Sequence, residues 1–384
     1  MSVPLLLHVF PSFATGGAQV RFAALANRFG NRWRHAVVAL DGNDTCLERI
    51  GSHVPLEMVP SPTRRGEPLP RAMLSIGLML RRLRPDLLVT SNWGSMEWAI
   101  ARMAMPGLPH LHTEDGFGPE ESQGQFRRRI LTRRLALRRS TVVVPSSILL
   151  QTARQSWKLP SGRVHHIPNG LDLSRFRPDG PAKPVFPDGA GPLLGTIAAL
   201  RPEKNLGRLL RAAARLRGEG LVFRLVILGD GPERGLLEAL AAELGLGETV
   251  RFIGHLPDPA AAYRAIDLFV LSSDTEQMPF SVLEAMATGL PVAATDAGDM
   301  RAMLPEESQP FISAKDDIGL GEAMRPLVQD AALRARIGQA NHAKALRDYD
   351  QEAMFQAHAT LIDRACAPTA GGRAVLGLFS AASQ

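Results

Sequence analysis

Short apolar runs alternate with longer segments of helical period along most of this 384-residue chain, and that alternation is the pattern of βαβ units wound around a parallel sheet. The runs LLLHVF (5–10), HAVVAL (35–40), DLLVT (86–90) and STVVVPS (140–146) predict strands of one sheet. LLGTIAAL (193–200), FRLVILG (223–229), VRFIG (250–254), DLFVLSS (267–273) and PVAAT (291–295) predict strands of a second. Between the two sets, RFRPDGPAKPVFPDGAGP holds five prolines and three glycines and reads as a linker, with the boundary near 172–190. The length suits two α/β domains of under about 200 residues each better than a single core. The expected division is a first domain over 1–175, a second over 190–348, a helix over 350–365 that packs back on the first, and a loosely held tail over 366–384.

Hydrophobic content of 45% against 21% charged residues suits a globular chain, and no run approaches the roughly 18 apolar residues of a membrane span. The N-terminal MSVPLLLHVFPSF has no basic n-region and no small-residue cleavage site, so it is expected to be a buried strand and not an export signal. Cys46 and Cys366 make at most one disulfide and have no partners at metal-ligand spacing, which suits a reducing cytoplasm and predicts no metal site. The net charge of +6 is concentrated, because the segment 121–140 carries seven arginines against one glutamate. Elsewhere the balance is near neutral, and nothing calls for nucleic acid as a partner.

The densest chemistry lies in SSDTEQMPFSVLEAMATGLPVAAT. Glu276 and Glu284 are eight positions apart, and Pro279 with Ser281 marks a helix start between them, which puts Glu276 on a loop and Glu284 inside the helix. A helix start near Phe280 and Ser281 offers free backbone N–H groups and a positive dipole end to a diphosphate or to sugar hydroxyls. The acid pair alone reads more simply as a surface acid and an ordinary helix-face glutamate. Arg201-Pro202-Glu203-Lys204-Asn205 directly follows a predicted strand. Ligands of open α/β sheets bind at the carboxyl ends of strands, where Arg201 can fork onto phosphate oxygens and Lys204 supplies a compact charge. The plainer alternative is a solvated turn. Gly16 and Gly17 follow the first strand and open AQVRFAALANRF, where glycine lets the backbone approach a phosphate or sugar, or simply makes a tight turn. Gly229, Gly231 and Gly235 imitate a dinucleotide loop, but Pro232 lacks an N–H and no acid ends the following strand, so G-D-G-P reads as a strand-to-helix turn.

Taken together, R-P-E-K-N, then G-D-G-P (229–232), then E-x7-E followed by A-M-A-T-G-L-P-V resemble the C-terminal domain of glycosyltransferase family four. G-G-A-Q (16–19), V-P-S (144–146) and I-P-N-G-L-D (167–172) also stand where that family has them. The resemblance implies the α/β fold called GT-B, two Rossmann-like domains whose parallel sheets face a cleft. It also implies a retaining, metal-independent, hexosyltransferase-like enzyme that uses a nucleotide-diphosphate sugar and no cofactor. It assigns Arg201 and Lys204 to the donor diphosphate, Glu284 to the ribose, Glu276 to the transferred sugar, and the amides around Phe280 and Ser281 to phosphate and sugar. PHLHTEDGFGPEES departs from the family, which commonly carries a histidine there near the reactive carbon. This chain offers His112, Glu114 and Asp115, with Asp115 at the usual histidine's place and His112 earlier on the strand. Whether Asp115 or His112 takes over, or Asp115 only caps a turn, stays open.

In QFRRRILTRRLALRRS, Ile130, Leu131, Leu135 and Leu137 are interleaved with arginines. An amphipathic helix over 127–139 can meet anionic lipid heads or an anionic, lipid-linked or glycan acceptor, or can be a solvated helix face. The absence of interleaved aromatics counts against single-stranded nucleic acid. The expected function is therefore transfer of a sugar to an acceptor hydroxyl in polysaccharide, glycolipid or other cell-envelope glycan synthesis, in the cytoplasm or at the inner face of its membrane. The alternatives are a nucleotide-sugar-binding scaffold without transfer activity, a GT-B epimerase or phosphorylase, and a nicotinamide oxidoreductase.

Overall fold

The computed structural model describes residues 3–64, 66–117, 121, 124–180, 189–256 and 258–367. Much of the expected linker, at 181–188, and most of the expected tail, from 368 onward, lie outside the described residues. The chain forms two compact units: Met1–Pro145 with Leu149–Ile167 and Phe355–Gln384, and Ser146–Ile148 with Pro168–Met354.

Among the described residues the first unit holds seven strands, β1 (Leu5–Phe10), β2 (Arg34–Ala39), β3 (Leu56–Met58), β4 (Leu87–Ser91), β5 (His110–Thr113), β6 (Thr141–Val144) and β7 (Val164–His166). The second holds β8 (Leu193–Ile197), β9 (Arg224–Leu228), β10 (Val250–Gly254), β11 (Leu268–Leu271), β12 (Val292–Thr295) and β13 (Ile312–Ser313). Helices α1 (Gly17–Phe29), α2 (Leu69–Leu83), α3 (Met96–Arg102), α4 (Arg127–Ala136) and α5 (Ser147–Gln155) precede β8. Helices α6 (Leu206–Gly218), α7 (Arg234–Glu243), α8 (Ala260–Tyr263), α9 (Phe280–Ala287), α10 (Met300–Met303), α11 (Asp317–Gln329), α12 (Ala331–Asp348) and α13 (Gln351–Cys366) follow it. From Phe355 onward α13 belongs to the first unit, where Trp33 Nε1 donates to Asp363 Oδ1 at 3.1 Å.

Both sheets are parallel and share one topology. The strand order is β3-β2-β1-β4-β5-β6-β7 in the first unit and β10-β9-β8-β11-β12-β13 in the second. In each, the order reverses once, between β1 and β4 and between β8 and β11. A strand projects successive side chains to opposite faces, and burial of both faces explains the near-continuous apolar runs. Leu225, Ile227, Leu268 and Val270 pack toward α6 and α11, while Val226, Leu228, Phe269 and Leu271 share the opposite core with α9.

Three expected strands end two or more residues early, among them β11, which stops at Leu271 and leaves Ser272 and Ser273 to the loop. Strand β6 stops at Val144, before Pro145, which has no N–H to extend a ladder. Strand β8 stops at Ile197, and its continuation turns into the loop that carries Arg201. Among the described residues no helix is long and apolar enough to cross a membrane.

Candidate functional site

In the second unit, the two loops that leave β8 and β11 lie at the carboxyl ends of the strands flanking the order reversal, where open α/β sheets bind ligands. The β8 loop passes exposed Arg201, forms a 3-10 turn over Pro202–Lys204 and ends at Asn205, which adopts φ +43° and caps α6 through its side chain. The β11 loop carries Ser272, Ser273, Asp274 and Glu276 and leads to α9, which starts after Pro279. Lys204 Nζ meets Glu276 Oε1 at 2.6 Å, and Ser273 Oγ donates to the same oxygen at 2.7 Å. These side chains are 24% and 8% exposed. Lys204 thus reaches solvent, while the Glu276 carboxylate is nearly buried.

A second set of bonds stitches the loops together. Buried Arg208 donates to the Ser272 carbonyl and to Asp274 Oδ1, both at 2.7 Å, and Asn205 Nδ2 donates to Asp274 Oδ2 at 3.0 Å. Ser272 Oγ donates to the Lys204 carbonyl at 2.9 Å, and Asp274 N to the Glu203 carbonyl at 2.9 Å. Lys204 and Glu276 therefore sit on backbones held at several points, which is how a site is preorganised. Two glycines permit the close approaches. A Cβ on Gly229 would lie 1.8 Å from the Ala198 carbonyl oxygen beside the β8 loop, and one on Gly298 would lie 2.4 Å from that of Glu276. Asn169, in the I-P-N-G-L-D run, braces the β11 loop by donating to the Met278 carbonyl at 3.0 Å.

Helix α9 presents Phe280 and Ser281 in its first turn, both half-buried, and Glu284 one turn later. Tyr263 Oη donates to Glu284 Oε2 at 2.8 Å. Burial pushes the Glu284 carboxyl up to about 7 against the pull of the Tyr263 hydrogen bond and the Arg175 charge. The second unit thus carries Arg201, Lys204, Glu276, Phe280, Ser281 and Glu284 on the β8 loop, the β11 loop and α9, with Lys204 and Glu276 in direct contact. Arg208, Asp274, Ser273 and Tyr263 support them and carry no local motif that singles them out.

The first unit holds the remaining candidates. Gly16 precedes α1 in extended conformation, with φ −149°, and Gly17 is its first residue. The backbone there imposes no left-handed strain, so conformation does not require glycine at Gly16. Asp115 follows β5, and its carboxylate is gripped by Arg21 of α1 through contacts of 2.6 and 2.9 Å, while its N–H donates to Asn92 Oδ1 at 2.7 Å. His112 and Glu114 differ from expectation. Both are 0% exposed, so neither has surface to offer a substrate in this structure. His112 Nδ1 bonds Thr90 Oγ1 at 2.8 Å, and Glu114 Oε2 takes Arg133 Nε at 2.9 Å. The physical reason is the place of β5 inside the sheet, between β4 and β6, where both faces are covered, and the need of buried Arg133 for a counter-charge. Arg133 lies 4.9 Å from the ring centroids of both Trp93 and Trp157.

Two family models match the chain. Residues 15–175 match the model described as Glycosyltransferase Family 4, and residues 183–344 that described as Glycosyl transferases group 1. A putative glycosyltransferase EpsF from Bacillus subtilis is 33% identical over 204 residues, covering 50% of this chain and 49% of its own length. A GDP-mannose-dependent alpha-mannosyltransferase from Mycolicibacterium smegmatis is 31% identical over 265 residues, covering 65% of this chain and 66% of its own. The chain thus spans between about half and two thirds of these relatives. A crystallised glycosyltransferase from Rickettsia africae superposes with a TM-score of 0.78 over 96% of this chain and 100% of its own, at 13% identity, a likeness of fold. With one model over β2 to β7 of the first unit, the other over β8 to β13 of the second, and two doubly wound parallel sheets of the GT-B kind beneath them, the chain belongs to glycosyltransferase family 4.

Proposed function

We propose that this chain is a retaining glycosyltransferase that moves a sugar from a nucleotide-diphosphate sugar to an acceptor hydroxyl in the synthesis of a cell-envelope glycan or glycolipid. The observation that supports it most is the placement of Arg201, Lys204, Glu276 and the start of α9 at the carboxyl ends of β8 and β11. Arg201, Lys204 and the helix N-terminus take the diphosphate, whose negative charge grows as the bond to the sugar breaks. In a front-face reaction the acceptor hydroxyl attacks on the side the diphosphate leaves, and its proton passes to a leaving-group oxygen. Glu276 orients the sugar ring and Glu284 accepts from the ribose. On the first unit, Asp115, fixed by Arg21, receives hydroxyl hydrogen bonds. A panel of nucleotide sugars tests the reading by thermal shift, because a ligand bound only by the native state raises stability by mass action. Stabilisation by one donor, followed by release of its nucleoside diphosphate on transfer, is expected. No response to any donor counts against it.

The two glutamates should fail differently. Glu284→Gln is expected to weaken binding of the bare nucleoside diphosphate by about 1.5–3 kcal/mol, the value of a charged hydrogen bond. Glu276→Gln should bind that ligand as the wild type does but turn over more slowly, because its partner is the sugar. Isothermal titration beside steady-state kinetics separates them, and the opposite pattern exchanges the two roles.

The structure of α4 narrows the proposed membrane contact. Arg133 is internal and Arg129 is bound to Glu121 at 2.8 Å, so neither is available to lipid. Leu131 and Leu135 are 55% and 57% exposed and are flanked by exposed Arg127, Arg128 and Arg134. This combination suits the interface of an anionic bilayer, each arginine contributing about 1 kcal/mol before screening. Replacing Arg127, Arg128 and Arg134 with glutamine should weaken co-sedimentation with phosphatidylglycerol vesicles roughly tenfold at 0.1 M salt. Equal binding to phosphatidylcholine vesicles, or no effect of the triple change, reduces the run to a solvated face.

A further inference from the structure

Tyr263 closes the one-turn helix α8, and its side chain is fully buried. Its ring packs edge-on against Phe176 at a centroid distance of 6.0 Å and tilted against Phe269 at 5.8 Å. Those contacts fix the ring, and with it the direction of the hydroxyl, which donates to Glu284 Oε2 at 2.8 Å. A wholly apolar site would accept phenylalanine here, and burying a hydroxyl without a partner is costly. Glu284 Oε1 has no protein partner among the described residues.

We propose that Tyr263 is a positioning residue for nucleotide recognition: it holds the Glu284 carboxylate by one oxygen so that the other is presented to the vicinal hydroxyls of the ribose. The proposal rests on the assignment of Glu284 to the ribose and adds the group that makes that assignment work. A glutamate has three rotatable side-chain bonds, and fixing it before the ligand arrives removes an entropy cost from binding. The same hydroxyl stabilises the charged carboxylate against its burial, which otherwise raises its proton affinity. The other charged groups acting on Glu284 are Arg175, which favours the ionised form, and Asp258, which opposes it. From α12, His342 bonds the Ala287 carbonyl, one turn further along α9. Because the ionised carboxylate is the stronger acceptor for the ribose hydroxyls, nucleotide affinity should rise with pH through the Glu284 titration near 7.

The test is isothermal titration of the full chain with guanosine or uridine diphosphate and with the 2′,3′-dideoxy counterpart, between pH 6 and 8.5. Tyr263→Phe keeps the packing ring, and its melting transition checks that the fold is retained. It is expected to weaken the ribonucleotide about three- to tenfold, the range of one net hydrogen bond, to leave the dideoxynucleotide within twofold, and to move the pH midpoint upward. Glu284→Gln runs alongside. If Glu284→Gln abolishes discrimination between the two ligands while Tyr263→Phe retains wild-type discrimination and midpoint, Tyr263 does not position the carboxylate and the ribose assignment stands. If Tyr263→Phe weakens both ligands equally, its role is packing alone and the proposal is overturned. If Glu284→Gln discriminates as the wild type does, the ribose assignment itself falls and the proposal falls with it.

Discussion

Lys204→Ala is expected to slow sugar transfer by roughly 10²–10³, the usual consequence of deleting one preorganised electrostatic stabiliser. The proposed leaving group is a nucleoside diphosphate, and the charge on its bridging oxygen is greater in the transition state than in the bound donor, so the loss should fall on kcat more than on KM. The fold should survive. The Lys204 side chain is partly exposed, and Glu276 keeps the Ser273 hydroxyl bond after its cation is gone. The backbone of the β8 loop remains tied through Arg208, Asn205 and Asp274. Steady-state rates of a folded variant decide the matter, and turnover within threefold of the wild type removes Lys204 from the reaction.

The first unit should lose much of its stability in mild acid. His35 is held down to about 4 and His358 to about 3, chiefly by burial, and His8 and His110 lie well below the ordinary histidine value for the same reason. Each is depressed in the folded state, so each contributes stability that is complete above the unfolded value near 6.5 and is lost as pH falls toward the folded value. The loss is about 1.4 kcal/mol per histidine per pH unit. Between pH 6.5 and 4.5, His35 and His358 alone remove roughly 5 kcal/mol, a large part of an ordinary domain's stability. Glu284 acts in the opposite direction in the second unit, because its raised value stabilises the fold on the acid side of 7. The tryptophans Trp33, Trp93, Trp98 and Trp157 all belong to the first unit, so their fluorescence reports that unit alone. The fluorescence-detected melting point should drop by roughly 10–20 °C between pH 7 and 4.5. A melting point that stays level over that range shows that these histidines do not carry the linkage.

Most of the architecture was legible because both faces of the inner strands are buried, which makes β1, β2, β4, β6, β8, β9, β11 and β12 stand out as apolar runs, while β10, at an edge, alternates exposed positions with more buried ones. The edge strands β3, β7 and β13, of two or three residues, are too short to show a period. The R-P-E-K-N and E-x7-E segments announced themselves because chemistry, strand end and helix start coincide in one stretch of chain. Their supports did not, since Tyr263 and Glu284 are 21 positions apart, Arg208 and Asp274 are 66, and Arg21 and Asp115 are 94. Arg133 was the most misleading residue. In a run of arginines it reads as surface, yet it is fully buried among aromatic rings with Glu114 as its counter-ion. That pairing also explains why Glu114, a candidate ligand by position, is an internal support.

The most direct measurement is the affinity of the full chain for a nucleoside diphosphate, with and without its two proposed phosphate cations. Replacing Arg201 and Lys204 together by alanine removes two charged hydrogen-bond donors from the phosphates. Affinity should then fall by about 10²–10⁴, at roughly 1.5–3 kcal/mol per lost contact, while the melting point of the free protein stays near the wild-type value. A folded double variant that binds guanosine and uridine diphosphate as tightly as the wild type means that the β8 loop does not hold the donor diphosphate.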